Sequence, residues 1–232
     1  MLEVEGLGAG YGRIPILNGI DFSIARGEIV GVLGHNGMGK TTLLRTLMGE
    51  IRATGGSIVF EDEDITRLAM HRRSRLGIGY VPQGRGIFPH MTVRDNLLMG
   101  GLINSAKGAL DFELIFGYFP FLRERLPQRG GTLSGGQQAM LAIARALING
   151  PDLRLLDEPS DGVQPSIVQE IGGFIQSLNR DKGLTVLIVE QNIDLIQTVA
   201  QRAYVLDKGR VVARVTREEL LQTDRLAEHL AV

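Results

Sequence analysis

Short apolar runs recur along the chain at two different spacings. LEVEGL and IDFSIARGEIVGVLG are β-branched and partly alternating, which predicts strands, the second run broken at Arg26-Gly27. GGSIVFEDEDI predicts another strand behind a glycine turn, and GIGYVPQ a short buried one. LRLLDE, TVLIVE and RAYVLDKGRVVARV return to the same character after Pro151. Elsewhere the spacing is helical: KTTLLRTLMGE sets Leu43, Leu44, Leu47 and Met48 on one face. SIVQEIGGFIQSLNR also has a helix period, weakened by Gly172-Gly173, and TREELLQTDRLAEHLAV reads as a terminal amphipathic helix. From about Pro89 to Ile148 the chain is richer in Leu, Phe, Arg and Glu with helical periodicity, a helical insertion. Strands alternating with helices predict a mostly parallel sheet covered on both faces.

Composition narrows the picture. The 232 residues suit one α/β domain or one domain with a small subdomain, and 44% hydrophobic residues supply a core. With 25 basic against 26 acidic residues, a general basic field for nucleic acid is not expected. The absence of cysteine excludes disulfides and Cys-based zinc sites, and His35, His71, His90 and His229 have no metal-ligand spacing. No secretory leader or membrane-length apolar run is present, which predicts a soluble, cytoplasmic protein. If it serves a membrane, another chain must cross it.

The strongest chemical signal is GHNGMGKTT, which fits G-x-x-x-x-G-K-[ST] between a predicted strand and a predicted helix. Gly34, His35, Asn36, Gly37, Met38 and Gly39 would curl so that successive amides face one concavity, with the helix N-terminus adding its positive end. Lys40 would reach the β- and γ-phosphates, the Thr41 hydroxyl the shell of a Mg²⁺ ion, and Thr42 completes the motif. This predicts a nucleotide phosphate site. Small GTPases, small-molecule kinases, helicases and transporter motors all use such a cradle.

A second glycine-rich start, LSGGQQAMLAIARAL, has Ser134 placed to cap a helix whose buried face carries Met140, Leu141, Ile143, Ala144 and Leu147. Alone, that describes a capped amphipathic helix. Beside one phosphate cradle it is also a second anion-binding surface with no ligand of its own. Leu133-Ser134-Gly135-Gly136-Gln137 resembles the signature motif of ATP-binding cassette (ABC) ATPases. The order GHNGMGKTT, VPQ, LSGGQ, LLDEP matches that family along almost the whole chain.

The resemblance implies a RecA-like core with an antiparallel β-subdomain over residues 1–87 and 151–232. It also implies an inserted helical subdomain over 88–150. It implies ATP and Mg²⁺, and a head-to-tail dimer in which one subunit's signature helix closes on the nucleotide held by the other. Tyr11 falls where an aromatic ring stacks on adenine, and Gln83 where a glutamine reaches the metal and the attacking water. Neighbouring side chains of a strand point apart, so Asp157 and Glu158 are expected to do different work. By motif position Asp157 meets the Mg²⁺ shell and Glu158 orients and polarises the water. The partners implied are a second cassette, permease subunits and, indirectly, a solute-binding protein, with the chain peripheral on the inner face of the membrane.

Three positions depart from the commonest family pattern. Arg154 interrupts an apolar strand, and is expected either to extend past the strand's edge or to pair with an acid. Gln164 stands where an aspartate is frequent, and Gln191 where most members have a histidine on the γ-phosphate. Glutamine can still donate a hydrogen bond there but cannot relay a proton. VEQN, DEPSDG and GIGYVPQGRGIFPHMTVRDNL are similar to ATPase subunits of importers for branched-chain amino acids, urea and short-chain amides, a branch in which glutamine at position 191 is usual. DGVQPSIVQEI leans toward the urea and amide members. The competing readings are a non-transport ABC ATPase and a regulatory module that uses ATP only to dimerise.

Overall fold

The computed structural model describes residues 1–102, 110–150 and 152–222. Two sheets form. The first is antiparallel, in the order β2-β1-β4-β5, from β1 (Leu2–Tyr11), β2 (Ile14–Ile24), β4 (Ala53–Phe60) and β5 (Glu63–Asp64). The second has six strands in the order β10-β9-β3-β8-β7-β6. Its members are β3 (Ile29–Leu33), β6 (Ile78–Val81), β7 (Leu153–Asp157), β8 (Thr185–Glu190), β9 (Arg202–Asp207) and β10 (Arg210–Val215). All pair in parallel except β10, which turns back on β9 as a hairpin.

The run IDFSIARGEIVGVLG therefore divides between sheets: its first half closes β2 in the antiparallel layer and its second half is β3 in the parallel one. Strands β3, β7 and β8 are buried at every residue because both faces of this sheet are covered. Alternate side chains feed separate cores. Val30, Val32, Leu155, Leu187 and Val189 join the antiparallel layer and the helix after the cradle. Ile29, Leu33, Leu156, Val186 and Ile188 join the remaining helices.

The α-helices among the described residues are α1 (Lys40–Met48), which follows the cradle, α2 (Met70–Leu76), α3 (Val93–Gly101), α4 (Phe112–Tyr118), α5 (Pro120–Glu124), α6 (Gly135–Leu147), α7 (Pro165–Lys182), α8 (Ile193–Val199) and α9 (Arg217–Leu220). Helix α7 runs through Gly172 because α8 packs there: a Cβ would stand 3.2 Å from Thr198 and 3.3 Å from Leu195. The polar run MHRRSRL of α2 had no apolar period to announce it. Its buried Arg73 donates to the carbonyls of Thr46 (2.9 Å) and Leu47 (2.8 Å) at the end of α1, and to Thr66 and Leu68. Those are carbonyls that the last turn of a helix leaves open. Burial lowers the Arg73 guanidinium to about 10.

Arg154 is a correction to one expectation. It does not reach past the sheet, since β7 lies between β6 and β8 and the side chain is wholly buried. Loss of water pulls its pKa well down, and the charge of nearby Asp152 opposes that shift. Of the expected terminal helix, Arg217–Leu220 is formed, closed by a Thr216–Glu219 capping box. Residues 223–232 lie outside the described residues. No helix among the described residues is long and apolar enough to cross a membrane.

Candidate nucleotide site

Strand β3 delivers the chain into the cradle at Gly34, where only glycine fits: a Cβ would lie 2.5 Å from the Leu206 carbonyl oxygen. Gly37 (φ 82°) and Gly39 (φ 105°) then take left-handed conformations that bring the chain around to start α1 at Lys40. The N-cap is Gly39 and the first turn holds no acid, so no side chain of α1 competes for its leading amides. The β9–β10 turn supports the loop from outside. Gly209 N–H donates to the Met38 carbonyl (3.0 Å) and Lys208 N–H to Met38 Sδ (3.3 Å), while Asn18 N–H donates to the Gly209 carbonyl.

Lys40 is 4% exposed. Its Nζ donates to the carbonyls of Gly34 (2.7 Å) and His35 (2.9 Å) and lies 3.0 Å from Glu158 Oε1. Thr41 Oγ1 donates to Asp157 Oδ1 at 3.0 Å, and Tyr80 OH to Asp157 Oδ2 at 3.0 Å. Gln83 Nε2 donates to Glu158 Oε2 (3.2 Å) and Asp161 Oδ2 (3.4 Å). Burial pushes the Asp157 carboxyl above its ordinary range, against the pull of the Tyr80 and Thr41 hydroxyls. Asp157 ends β7, whereas Glu158 has left the strand with φ 46°, an unusual angle for a residue with a side chain. The two adjacent acids thus face different partners.

Tyr11 ends β1 at its hairpin, 48% exposed, with its hydroxyl beside Arg45 of α1. Gln191 follows β8 and its side chain is exposed. Gln164 is the N-cap of α7 but makes no side-chain cap bond. Leu133 to Gln137 sit elsewhere. Ser134 and Gln137 form a reciprocal capping box at the start of α6. Gly135 lies against Arg85, and Gly136 is so close to Ile167 of α7 that a Cβ would stand at 2.5 Å. Strands and cradle bring Lys40, Thr41, Gln83, Asp157 and Glu158 together, while the signature stretch belongs to the α3–α6 side of the molecule.

Two neighbours were missed by sequence reasoning. Tyr80 holds Asp157, as above. Glu190 is fully buried and accepts from the backbone N–H of Ser160 (2.9 Å), Gln191 (3.1 Å) and Asn192 (3.2 Å). Burial raises its carboxyl too. Its signal was present: TVLIVE ends on an acid just as LRLLDE does.

The family model described as ABC transporter matches residues 17–161. The chain belongs to that family. The high-affinity branched-chain amino acid transport ATP-binding protein BraG of Pseudomonas aeruginosa is 42% identical to the cassette over 98% of this chain and 98% of its own. LptB, the lipopolysaccharide export system ATP-binding protein of Escherichia coli, is 36% identical over 97% of this chain and 94% of its own. The ADP conformation of MJ1267, an ATP-binding cassette of an ABC transporter, superposes with a TM-score of 0.84 at 28% identity, covering 99% of this chain and 97% of that one. A dimeric post-hydrolysis structure of the cassette MJ0796, bound to ADP and Pi, gives 0.81 at 25% identity, covering 94% and 99%. The cassette accordingly has the RecA-like ABC fold and is an ATPase. The resemblance to the importer branch expected from VEQN and the segment after Gln83 is borne out by BraG.

Proposed function

We propose that this cassette powers uptake of a small solute, of the branched-chain amino acid class, through a separate permease at the inner face of the membrane. BraG, the more similar of the two relatives, favours uptake over the export named for LptB, and branched-chain amino acids over urea or short-chain amides. A solute-binding protein would act upstream of the permease. The observation that carries the catalytic reading is the convergence of Lys40, Thr41, Asp157, Glu158 and Gln83 around one glycine-rich turn.

In this reading the amides at the start of α1 and Lys40 bind the β- and γ-phosphates, and Tyr11 stacks on adenine. The oxygens of Thr41, Asp157 and Gln83 make an all-oxygen set that includes a buried carboxylate, which fits Mg²⁺. When bound, that ion neutralises charge on the phosphate oxygens. Glu158 orients and polarises the attacking water, and Gln191 donates to the γ-phosphate. Ser134 to Gln137 of a second cassette, arranged head to tail, complete the site.

The permease would dock after Gln83, in a depression lined by Met70, Tyr80, Phe88, Met99, Leu102 and Arg145. The Arg145 guanidinium covers the Phe88 ring at 5.2 Å, so the described residues here offer apolar area beside a cation. Steady-state turnover measured against protein concentration tests the composite site. A rate per chain that climbs with concentration is expected; a constant rate per chain across the dimerisation range would overturn it.

A further inference from the structure

Gln83 is followed by three residues in left-handed conformation, Gly84 (φ 76°), Arg85 (73°) and Gly86 (59°). Arg85 N–H donates to the Pro82 carbonyl (3.1 Å) and Gly86 N–H to the Gly84 carbonyl (2.9 Å), closing a tight turn. Two of these residues are glycine, which adopts such angles freely; arginine does so under strain. A side chain held at the centre of such a run invites the question of what it touches.

It reaches two other segments. Arg85 Nη1 donates to Gln138 Oε1 on α6 at 3.1 Å, and Nη2 to the Gly162 carbonyl, between Glu158 and α7, at 3.3 Å. A Cβ on Gly135 would lie 3.0 Å from Nη2, so the guanidinium rests on the first residue of α6. The first turn of α6 contains no acid. A cation at a helix N-terminus opposes the helix dipole, and becomes favourable when an anion arrives there.

We propose that Arg85 is a positioning residue. It clamps the start of the signature helix to the segment after Glu158, and sets Ser134–Gln137 in the pose that receives the nucleotide held by a second cassette. The proposal rests on the head-to-tail reading above.

The test uses Glu158→Gln, in which ATP should trap the dimer, with Arg85→Gly or Arg85→Lys added. Dimerisation at saturating MgATP is followed by analytical ultracentrifugation, and ATP affinity by calorimetry at concentrations where the chain is monomeric. Arg85→Gly relieves the backbone strain, so a residue serving only the turn would leave dimerisation intact. The proposal expects it to weaken dimerisation by roughly tenfold, the scale of one lost charged hydrogen bond, with monomer ATP affinity unchanged within about twofold. Arg85→Lys keeps the charge but cannot span both acceptors, and should fall between. Unchanged dimerisation in Arg85→Gly, or a parallel loss of monomer ATP affinity, would overturn the proposal alone. A Glu158→Gln chain that stays monomeric would overturn the head-to-tail reading and the proposal with it.

Discussion

Lys40 Nζ and Glu158 Oε1 stand 3.0 Å apart with both side chains almost wholly buried. Each charge satisfies the other. Under the proposed function, an incoming γ-phosphate would compete with Glu158 for the lysine and leave the carboxylate beside the reacting centre.

Glu158→Gln removes the carboxylate and keeps nearly the same shape. Lys40 retains the Gly34 and His35 carbonyls, so ATP binding should persist or tighten slightly. Turnover should drop at least about 100-fold, the ordinary worth of a positioned general base. Turnover within a few-fold of the parent, with the variant folded, would remove Glu158 from the mechanism.

Asp157 and Glu190 are buried carboxyls raised above their ordinary values of 3.8 and 4.5, in both cases by loss of water. The folded chain therefore holds these protons more tightly than the unfolded one. Their contribution to stability is fullest below the ordinary carboxylate range and declines as pH rises through the raised values. Asp157→Asn should accordingly raise the melting temperature of the nucleotide-free protein at neutral pH. Each kcal/mol of relief would show as roughly 2–4 °C in a chain of this size. The gain should shrink toward acid pH, while MgATP-dependent activity is lost. A lower melting temperature at neutral pH would show that the Thr41 and Tyr80 bonds outweigh burial.

Glu190 ties the segment after Glu158 to the segment carrying Gln191 through three backbone amides. Glu190→Ala strands those donors and should destabilise by about 2–4 kcal/mol, read from urea unfolding. Glu190→Gln keeps an acceptor oxygen and should recover most of that stability, but with slower turnover, since one amide oxygen cannot serve amides on both segments as two carboxylate oxygens do. Parent-like turnover in a stably folded Glu190→Gln would limit this residue to folding.

Gly209 lies far from the cradle in sequence, yet its N–H holds Met38 and a Cβ would come within 1.7 Å of the Ile16 carbonyl oxygen. Gly209→Ala must move the β9–β10 turn. We expect about 1–3 kcal/mol of destabilisation and weaker ATP binding, measured by titration calorimetry. Unaltered affinity would mean that the cradle holds its shape without that turn.

Much of the architecture was legible because burial leaves a simple trace. Strands covered on both faces became the apolar runs LRLLDE, TVLIVE and EIVGVLG. The cradle was legible because its glycines, lysine and threonine act through local backbone shape. Other features had no local trace. Helix α2 depends on Arg73 reaching the carbonyls of α1, and α7 keeps its glycine because α8 presses on it. Arg85 meets Gln138 across 53 residues and Glu190 meets Ser160 across 30, so neither partnership shows in any window of sequence.

By itself the sequence determined the family, the glycine-rich turn and the pair of acids, since each rests on residue type and near-neighbour spacing. Only the tertiary structure decided which sheet received each half of IDFSIARGEIVGVLG, that Arg154 is buried, and that Lys40 rests on Glu158. Those outcomes depend on which distant groups meet when water is excluded, and the energy of a buried charge or hydrogen bond is set by that meeting.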